Sequence, residues 1–323
     1  MADSTEDDTD VQYLGLLALA LIALIAGLVI HSFIIGVNVT DWWKGRSVTP
    51  VDHIVTSLGI SRICAQCVVT LYIFMYAFHL KSLNSLIPLL VIAFVNIFFS
   101  YTNFWLTSLL SVVYCLKISN LHTRLFLYLK GMIGHRTVYF IGAIVLLSTF
   151  ICLMSFTIAI TNVMKGVSYN TTIHNLSMSC SYKNYVYSFT IGAFFPLLFY
   201  CISSVLLFTS LYHHTTKMKM SSNLSINLET YYSLMKLLSF SFIYNSLYIL
   251  AGFAWVLYYY FYCVLLPWLR IVLDFLPVLH SSYLIYRTPK LRSQMSKGLQ
   301  NVIDFLFQRE DTETRENIEI VAL

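Results

Sequence analysis

Seven long apolar runs, separated by short polar segments, follow one another along this chain. They cover residues 11–37, 54–78, 86–116, 138–163, 185–211, 231–258 and 264–286. An α-helix needs about 20 residues to cross a bilayer, so each run is long enough for one crossing. The pattern predicts an all-α fold in which a bundle of seven transmembrane helices occupies residues 11–288.

Positively charged residues concentrate in every second connecting segment of this predicted bundle. Short loops with an excess of Lys and Arg lie on the cytoplasmic side of a membrane. With the N-terminus outside, the outer segments hold only Lys81, Lys165 and Lys183, whereas the inner segments hold Lys44, Arg46, Lys117, Arg124, Lys130, Arg136, Lys217, Lys219, Lys236, Arg287, Lys290, Arg292 and Lys297. Omitting the second run, which carries Arg62 and Gln66, would place charged loops on the wrong sides.

The two ends of the chain differ in charge and in predicted structure. Residues 1–10 hold five acids and no Lys or Arg, and this topology places them outside the cell. Residues 289–323 lie inside, where a short amphipathic helix is expected to rest on the inner leaflet after the seventh span. Beyond Gln308 the tail becomes acidic, and we expect that part to be disordered.

The same topology selects among the sequence motifs that depend on compartment. Of the four Asn-x-Ser/Thr motifs, those at Asn170 and Asn175 face outward and are predicted to be glycosylated. Cys180 and Cys263 also fall in outer segments, and the sequence leaves open whether they pair. The remaining five of the seven cysteines lie in apolar runs and are interpreted as packing residues.

Composition and motifs argue against catalysis. The chain is 58% apolar and 11% charged, which fits a protein dissolved mainly in lipid. It holds no nucleophile elbow, no H-E-x-x-H and no Walker loop. We therefore predict that it is not an enzyme and that it holds no metal and no cofactor. Nothing in the sequence suggests a nucleic-acid partner.

Arg62 is the most unusual residue of the second run, because a charged group within a membrane span is costly unless it is paired. His31 in the first run and His280-Ser281-Ser282 in the seventh lie at a comparable depth. We predict a polar latch in which Arg62 bridges His31 and Ser281. Two interpretations stay open, a switch between inactive and active states and a static packing brace.

Polar residues in the outer halves of several runs suggest a small-molecule pocket. Arg270 and Asp274 are one turn apart in the seventh run and can pair on one helical face. The third run carries a polar stripe among apolar residues, formed by Asn96, Ser100 and Asn103. At the same depth, the fifth run holds Ser188 and Phe189, and the sixth run holds Tyr248. These groups either line a ligand pocket or form hydrogen bonds between helices.

Several segments resemble one family, the type 2 taste receptors. They are Asp41-Trp-Trp-Lys-Gly-Arg46 with residues 51–63, residues 105–118 and 125–130, Leu207-Phe-Thr-Ser-Leu211, and His280-Ser281 followed by Pro289-Lys-Leu-Arg292. The resemblance extends over all seven runs, and the Asp/Glu-Arg-Tyr and Asn-Pro-x-x-Tyr motifs of rhodopsin-class receptors are absent, as this family requires.

The resemblance implies a G protein-coupled receptor of the plasma membrane that binds bitter small molecules and activates a gustducin-like G protein. By motif position, the residues that serve the inner, signalling half are Lys117, Leu207, Ser210, Leu211, His214 and Lys217. Those that fall at ligand-facing positions are Asn96, Ser100, Leu247 with its neighbour Tyr248, and Arg270. A cation at position 270 favours acidic or strongly polar compounds.

The sequence also departs from the family that it resembles. The first helix commonly carries Asn where this chain has His31, and a frequent Trp of the third helix is replaced by Asn96. Two other functions remain as alternatives. One is a pheromone receptor of the first vomeronasal type, which the motifs of runs two and three disfavour. The other is a seven-helix channel or transporter, which the lack of an internal repeat disfavours.

Overall fold

The computed structural model describes residues 3–77, 86–119, 124–169, 183–220, 225–262 and 267–321. These residues form eight α-helices and no strand. In chain order the helices are α1 (Asp3–Trp43), α2 (Pro50–Ala77), α3 (Leu86–Ile118), α4 (Arg124–Tyr169), α5 (Lys183–Met220), α6 (Ser225–Tyr262), α7 (Pro267–Arg287) and α8 (Pro289–Val321). The all-α fold predicted from the apolar runs is therefore confirmed.

Six of these helices, α1 to α6, contain described stretches that are long and apolar enough to cross a membrane. Helix α7 has 21 residues, and it carries Arg270, Asp274 and Arg287 together with Pro277. These charges lower its hydropathy, although 21 residues exceed the length of one crossing. It packs against both α1 and α6, so it is the seventh member of the bundle.

The seven helices close into a ring around α3. Helix α1 packs against α2 and α7, α2 against α3, and α5 against α6, while α3 also contacts α4 and α5. The largest apolar core lies at the inner end, where α3, α5 and α6 meet through buried residues such as Leu110, Leu207, Leu211 and Leu237. A second core around Tyr101 and Phe104 lies farther out, between α3, α4, α5 and α6.

Helix α4 consists of two helical segments. Its backbone leaves helical geometry at Arg136, where φ is −122° and ψ is 21°. The predicted fourth span begins at residue 138, just beyond this kink. The helical turns before the kink bury Phe126 and Ile133 in the inner core. This burial explains why the segment before residue 138, which was predicted as a polar connection, is helical.

Two glycines allow neighbouring helices to approach closely. A side chain at Gly27 of α1 would collide with the amide of Gln66 on α2, and one at Gly192 of α5 would collide with the ring of Tyr101 on α3. Small residues at such points let the backbone of one transmembrane helix contact a side chain of its neighbour. Both contacts therefore set the spacing of the helices that surround the candidate site.

Helix α8 follows α7 after the single residue Thr288 and contacts α1 as well as α7. Leu291 is buried against the bundle, whereas Leu299, Val302, Phe305 and Phe307 are exposed. The helix continues to Val321, although the sequence suggested disorder beyond Gln308. The Glu and Arg residues in this stretch have high intrinsic helix propensity, which accounts for the difference.

Candidate functional site

The predicted polar latch joins α2 to α7 through Arg62. The Arg62 side chain is buried, with 4% of its surface exposed. Its Nη1 atom donates to Ser281 Oγ at 2.7 Å, to His280 Nδ1 at 3.2 Å and to the Pro277 carbonyl at 3.5 Å. Because a guanidinium only donates, the His280 Nδ1 atom must be unprotonated. The third of these acceptors, the Pro277 carbonyl, belongs to the helix backbone of α7.

His31, the third predicted member of the latch, forms no hydrogen bond within the described part of the chain. Its side chain is fully buried, and neither ring nitrogen has a partner. Its backbone carbonyl faces α2 near Gly59, one turn before Arg62. The structure thus places His31 next to the latch without including it in the hydrogen-bond network.

A column of aromatic rings extends outward from the latch along α6. The Tyr244 ring stacks on His280, with centroids 4.6 Å apart, and on Tyr248 at 6.1 Å. Tyr248 in turn contacts Phe104 of α3 at 5.6 Å. We call Phe104, Tyr248, Tyr244 and His280 the aromatic column. It connects the outer half of α3 to the group that Arg62 contacts.

The polar stripe of α3 begins where the aromatic column ends. Ser100 is buried and donates to the Asn96 carbonyl at 2.8 Å, which satisfies its hydroxyl within the helix. Asn103 is also buried, and its side-chain oxygen has no partner among the described residues. Asn96 is partly buried. Asn103 therefore offers a buried acceptor one position from Phe104.

For several of the remaining predicted ligand-binding residues, the structure describes only the position in a helix. Ser188 and Phe189 lie in α5 and Arg270 lies in α7, but their side chains are outside the described part of the structure. Asp274 is partly buried, and its backbone carbonyl accepts from Gln66 at 3.0 Å. Leu247 is 55% exposed, since the register of α6 directs its neighbour, Tyr248, toward the bundle.

A cavity of about 370 Å³ lies inward of the aromatic column, between α3, α5, α6 and α7. Its wall includes Tyr114, Phe208, Asn245 and His280, together with Leu207 from the predicted signalling set. None of the predicted ligand residues whose side chains the structure describes lines it. The cavity thus lies beside the inner apolar core in which α3, α5 and α6 meet.

The predicted G protein-facing residues divide into two groups. Lys117 is exposed at the inner end of α3, and Ser210 is partly buried. Leu207 and Leu211 are each 1% exposed within the inner core, so a protein partner reaches them only after the inner ends separate. His214 and Lys217 lie in α5, but their side chains are outside the described part. The outward motifs Asn170, Asn175, Cys180 and Cys263 are outside the described residues altogether.

Lys290 at the start of α8 forms a contact that the sequence analysis missed. Its Nζ atom lies 2.9 Å from Asp41 and 3.4 Å from Asp52, and it donates to Asn38 Oδ1 at 3.1 Å. Asp41 also pairs with Arg46 at 3.0 Å. This ionic cluster ties α8 to the inner ends of α1 and α2. The sequence does contain a sign of this cluster, because Asp41 and Asp52 are acids in an otherwise basic inner segment.

Removing this cation should loosen α8. We expect Lys290→Ala to destabilise the purified protein by roughly 1 kcal/mol, because Asp41 and Asp52 then lie together with less compensating charge. The melting temperature should fall by about 2 °C, and the difference should shrink at high salt. Lys297→Ala, an exposed lysine on the same helix, is the control. Equal melting temperatures for the two variants at low salt would contradict the assigned role.

Comparison with known proteins identifies the family. The model of the taste receptor proteins (TAS2R) matches residues 9–303, which include all seven bundle helices and the start of α8. The chain belongs to the TAS2R family. This membership confirms the resemblance found in the sequence and the prediction of a receptor rather than an enzyme. It also supports the prediction of a multi-pass protein of the plasma membrane.

Individual relatives of this TAS2R chain are distant. It is 28% identical to rat taste receptor type 2 member 41 over 198 residues, covering 60% of the chain and 64% of that relative. Human taste receptor type 2 member 2 is also 28% identical, over 61% of the chain and 65% of the relative. Human member 9 reaches 39% identity over 104 residues, which cover 31% of the chain and 32% of the relative. The aligned part thus spans slightly less than two thirds of the first two relatives.

A solved structure supports the fold independently. Squid rhodopsin superposes with a TM-score of 0.61 at 15% identity, covering 91% of this TAS2R chain and 87% of the rhodopsin chain. At this identity the likeness concerns the fold alone. It agrees with the ring of seven helices that close around α3.

Proposed function

We propose that this TAS2R chain is a G protein-coupled receptor for bitter small molecules, which bind in the outer half of the bundle. Its inner half then activates a gustducin-like G protein. The observation that carries the proposal is the aromatic column, because it physically connects the outer polar stripe to the Arg62 latch. Packed elements with two discrete arrangements can carry energetic coupling between distant sites.

The ligand site in this proposal lies around Asn103 and Tyr248. Small-molecule pockets combine apolar and aromatic walls with a few polar groups. Phe104 and Tyr248 supply the aromatic wall, and Asn103 supplies a buried oxygen without a partner in the described structure. Ser100 lies one turn farther out. Arg270 and Asp274 remain predicted contributors on α7, and a cation there would favour acidic agonists.

Signalling in this proposal runs inward through Tyr248, Tyr244 and His280. A ligand that shifts Tyr248 disturbs its stack on Tyr244 and then the stack of Tyr244 on His280. His280 accepts from Arg62, so its movement changes the α2–α7 contact. The agonist therefore favours a second arrangement of the latch that already exists in equilibrium with the first.

At the inner end, the proposal requires α6 to move away from its neighbours. Arg287 of α7 donates to Ser233 of α6 at 3.3 Å and to Tyr283 at 3.0 Å. Thr215 of α5 contacts the sulfur of Met235 on α6 at 3.7 Å. Breaking these contacts would expose Leu207 and Leu211 to a G protein, next to the basic inner loops. Helix α8 lies on the inner leaflet with Leu299, Val302, Phe305 and Phe307 in lipid.

The test is a calcium assay in cells that express the receptor with a gustducin-containing chimeric G protein. A panel of varied bitter compounds should include at least one agonist, and Asn103→Leu should raise its half-maximal concentration about tenfold. This magnitude corresponds to one lost hydrogen bond of roughly 1.4 kcal/mol. Asn301→Leu, an exposed asparagine of α8, is the matched control. Surface labelling should show equal receptor levels.

Two outcomes would contradict the proposal. Silence across the panel, with the receptor at the cell surface, would favour the pheromone-receptor alternative. An agonist whose potency is the same in Asn103→Leu, Asn301→Leu and the parent would retain the receptor function but exclude Asn103 from the ligand site.

A further inference from the structure

Arg62 carries a buried positive charge that is surrounded by neutral hydrogen-bond partners. Its bonds go to the Ser281 hydroxyl, the His280 ring and the Pro277 carbonyl. No carboxylate of the described residues forms an ion pair with it. Burying a cation without a counter-charge costs several kcal/mol, within a membrane as within a soluble core. The local structure therefore lacks one negative charge.

His31 provides a second, independent sign of a bound group. It is fully buried, and both of its ring nitrogens lack partners in the described structure. Its carbonyl lies 3.8 Å from where a Cβ on Gly59 would be, which places it beside the turn of α2 that leads to Arg62. A neutral imidazole keeps one N–H donor.

The available donors define the chemistry of that group. All three bonds of Arg62 use Nη1, so Nε and Nη2 remain as donors within the described contacts. Together with the imidazole N–H of His31, they provide hydrogen-bond donors and one positive charge. Water would satisfy hydrogen bonds there but would supply no charge. A small monovalent anion satisfies both requirements.

A cavity lies next to one of the groups that Arg62 contacts. The inner cavity of about 370 Å³ includes His280 in its wall, and His280 contacts Arg62 directly. The cavity lies in the inner half of the bundle, where the basic segments raise the local concentration of anions. The neighbouring Gln66 amide donates to the Asp274 carbonyl and is not needed as a ligand.

We propose that a chloride ion binds between the Arg62 guanidinium and the His31 imidazole, among α1, α2 and α7. The ion neutralises the charge of Arg62 while Arg62 keeps its hydrogen bonds to Ser281 and His280. It therefore stabilises this arrangement of the latch. Bromide should replace chloride, whereas gluconate is too large for a site enclosed by three helices.

The experiment is a thermal unfolding titration of the purified, full-length receptor in nanodiscs of neutral lipid. Sodium chloride replaces sodium gluconate at constant ionic strength, and choline chloride repeats the series with another cation. We expect the melting temperature to rise along a saturable curve, by about 3 °C at ten times the half-saturating concentration. A melting temperature that is the same in chloride and gluconate would show that water alone occupies the site.

Variants locate the effect. Arg62→Gln and His31→Leu should each remove the difference between chloride and gluconate. Arg292→Gln, an exposed cation of α8, should retain it. If the first two variants fail to fold, the ³⁵Cl resonance of chloride should still broaden in the presence of the parent receptor and sharpen when bromide is added. Absence of this broadening, or an unchanged chloride response in folded Arg62→Gln, would overturn the proposal. This outcome is independent of agonist and G protein.

Discussion

Replacing Gly27 by valine is expected to remove most of the receptor from the cell surface. Gly27 of α1 packs against the side-chain amide of Gln66 on α2, and any Cβ there would collide with it. Overpacking a tight contact costs about 1–3 kcal/mol. Displacing Gln66 would also break its 3.0 Å bond to the Asp274 carbonyl, which adds about 1–3 kcal/mol for unsatisfied buried groups. The sum, about 2–6 kcal/mol, reaches the lower end of the total stability of a typical protein, which is about 5–15 kcal/mol.

Gly36→Val is the matched control, because it adds the same side chain in the same helix. No atom lies within 4 Å of a Cβ at Gly36, and the residue is exposed. Surface labelling by flow cytometry, normalised to total receptor, should give a level near that of the parent for Gly36→Val and a small fraction for Gly27→Val. Similar surface levels for both variants would show that α1 and α2 can separate at Gly27 without loss of the fold.

The helices could be predicted because bilayer thickness imposes a length that apolar runs reveal directly. Predicted and observed ends agree closely for α2 and α3. The kink at Arg136 and the helical turns before it could not be predicted, since they depend on Phe126 and Ile133 reaching the inner core. The sequence pattern shows which segments are apolar, but it does not show which distant helix packs against them.

The candidate site, like the fold, could be predicted only in part from the sequence. Arg62 could be singled out because an ion within a span needs a partner, and Ser281 and His280 matched it in depth. The failure of His31 to join the hydrogen-bond network could not be predicted, because depth along a helix does not fix the rotation of the side chain. The same reason explains why Tyr248, and not Leu247, faces the bundle. The Lys290 cluster was missed because it joins residues far apart in sequence.

Tyr244→Leu is expected to raise the half-maximal agonist concentration by about 30-fold, with surface expression close to that of the parent. Tyr244 is 6% exposed and stacks on both Tyr248 and His280. Leucine preserves an apolar side chain but removes both ring contacts, each worth about 0.5–1.5 kcal/mol. Losing both corresponds to roughly 2 kcal/mol, or about 30-fold in an equilibrium constant. The calcium assay with the agonist found above measures this change.

Tyr212→Leu separates a loss of coupling from the general effect of replacing a tyrosine. Tyr212 is 62% exposed on α5, so its ring faces lipid and should have little influence on potency. A second distinction comes from direct ligand binding. Because Tyr244 lies between Tyr248 and the latch, Tyr244→Leu should weaken the response more than it weakens binding, whereas Tyr248→Leu should weaken both. Equal losses of binding and response in Tyr244→Leu would place Tyr244 in the ligand site itself and remove the aromatic column as the link to Arg62.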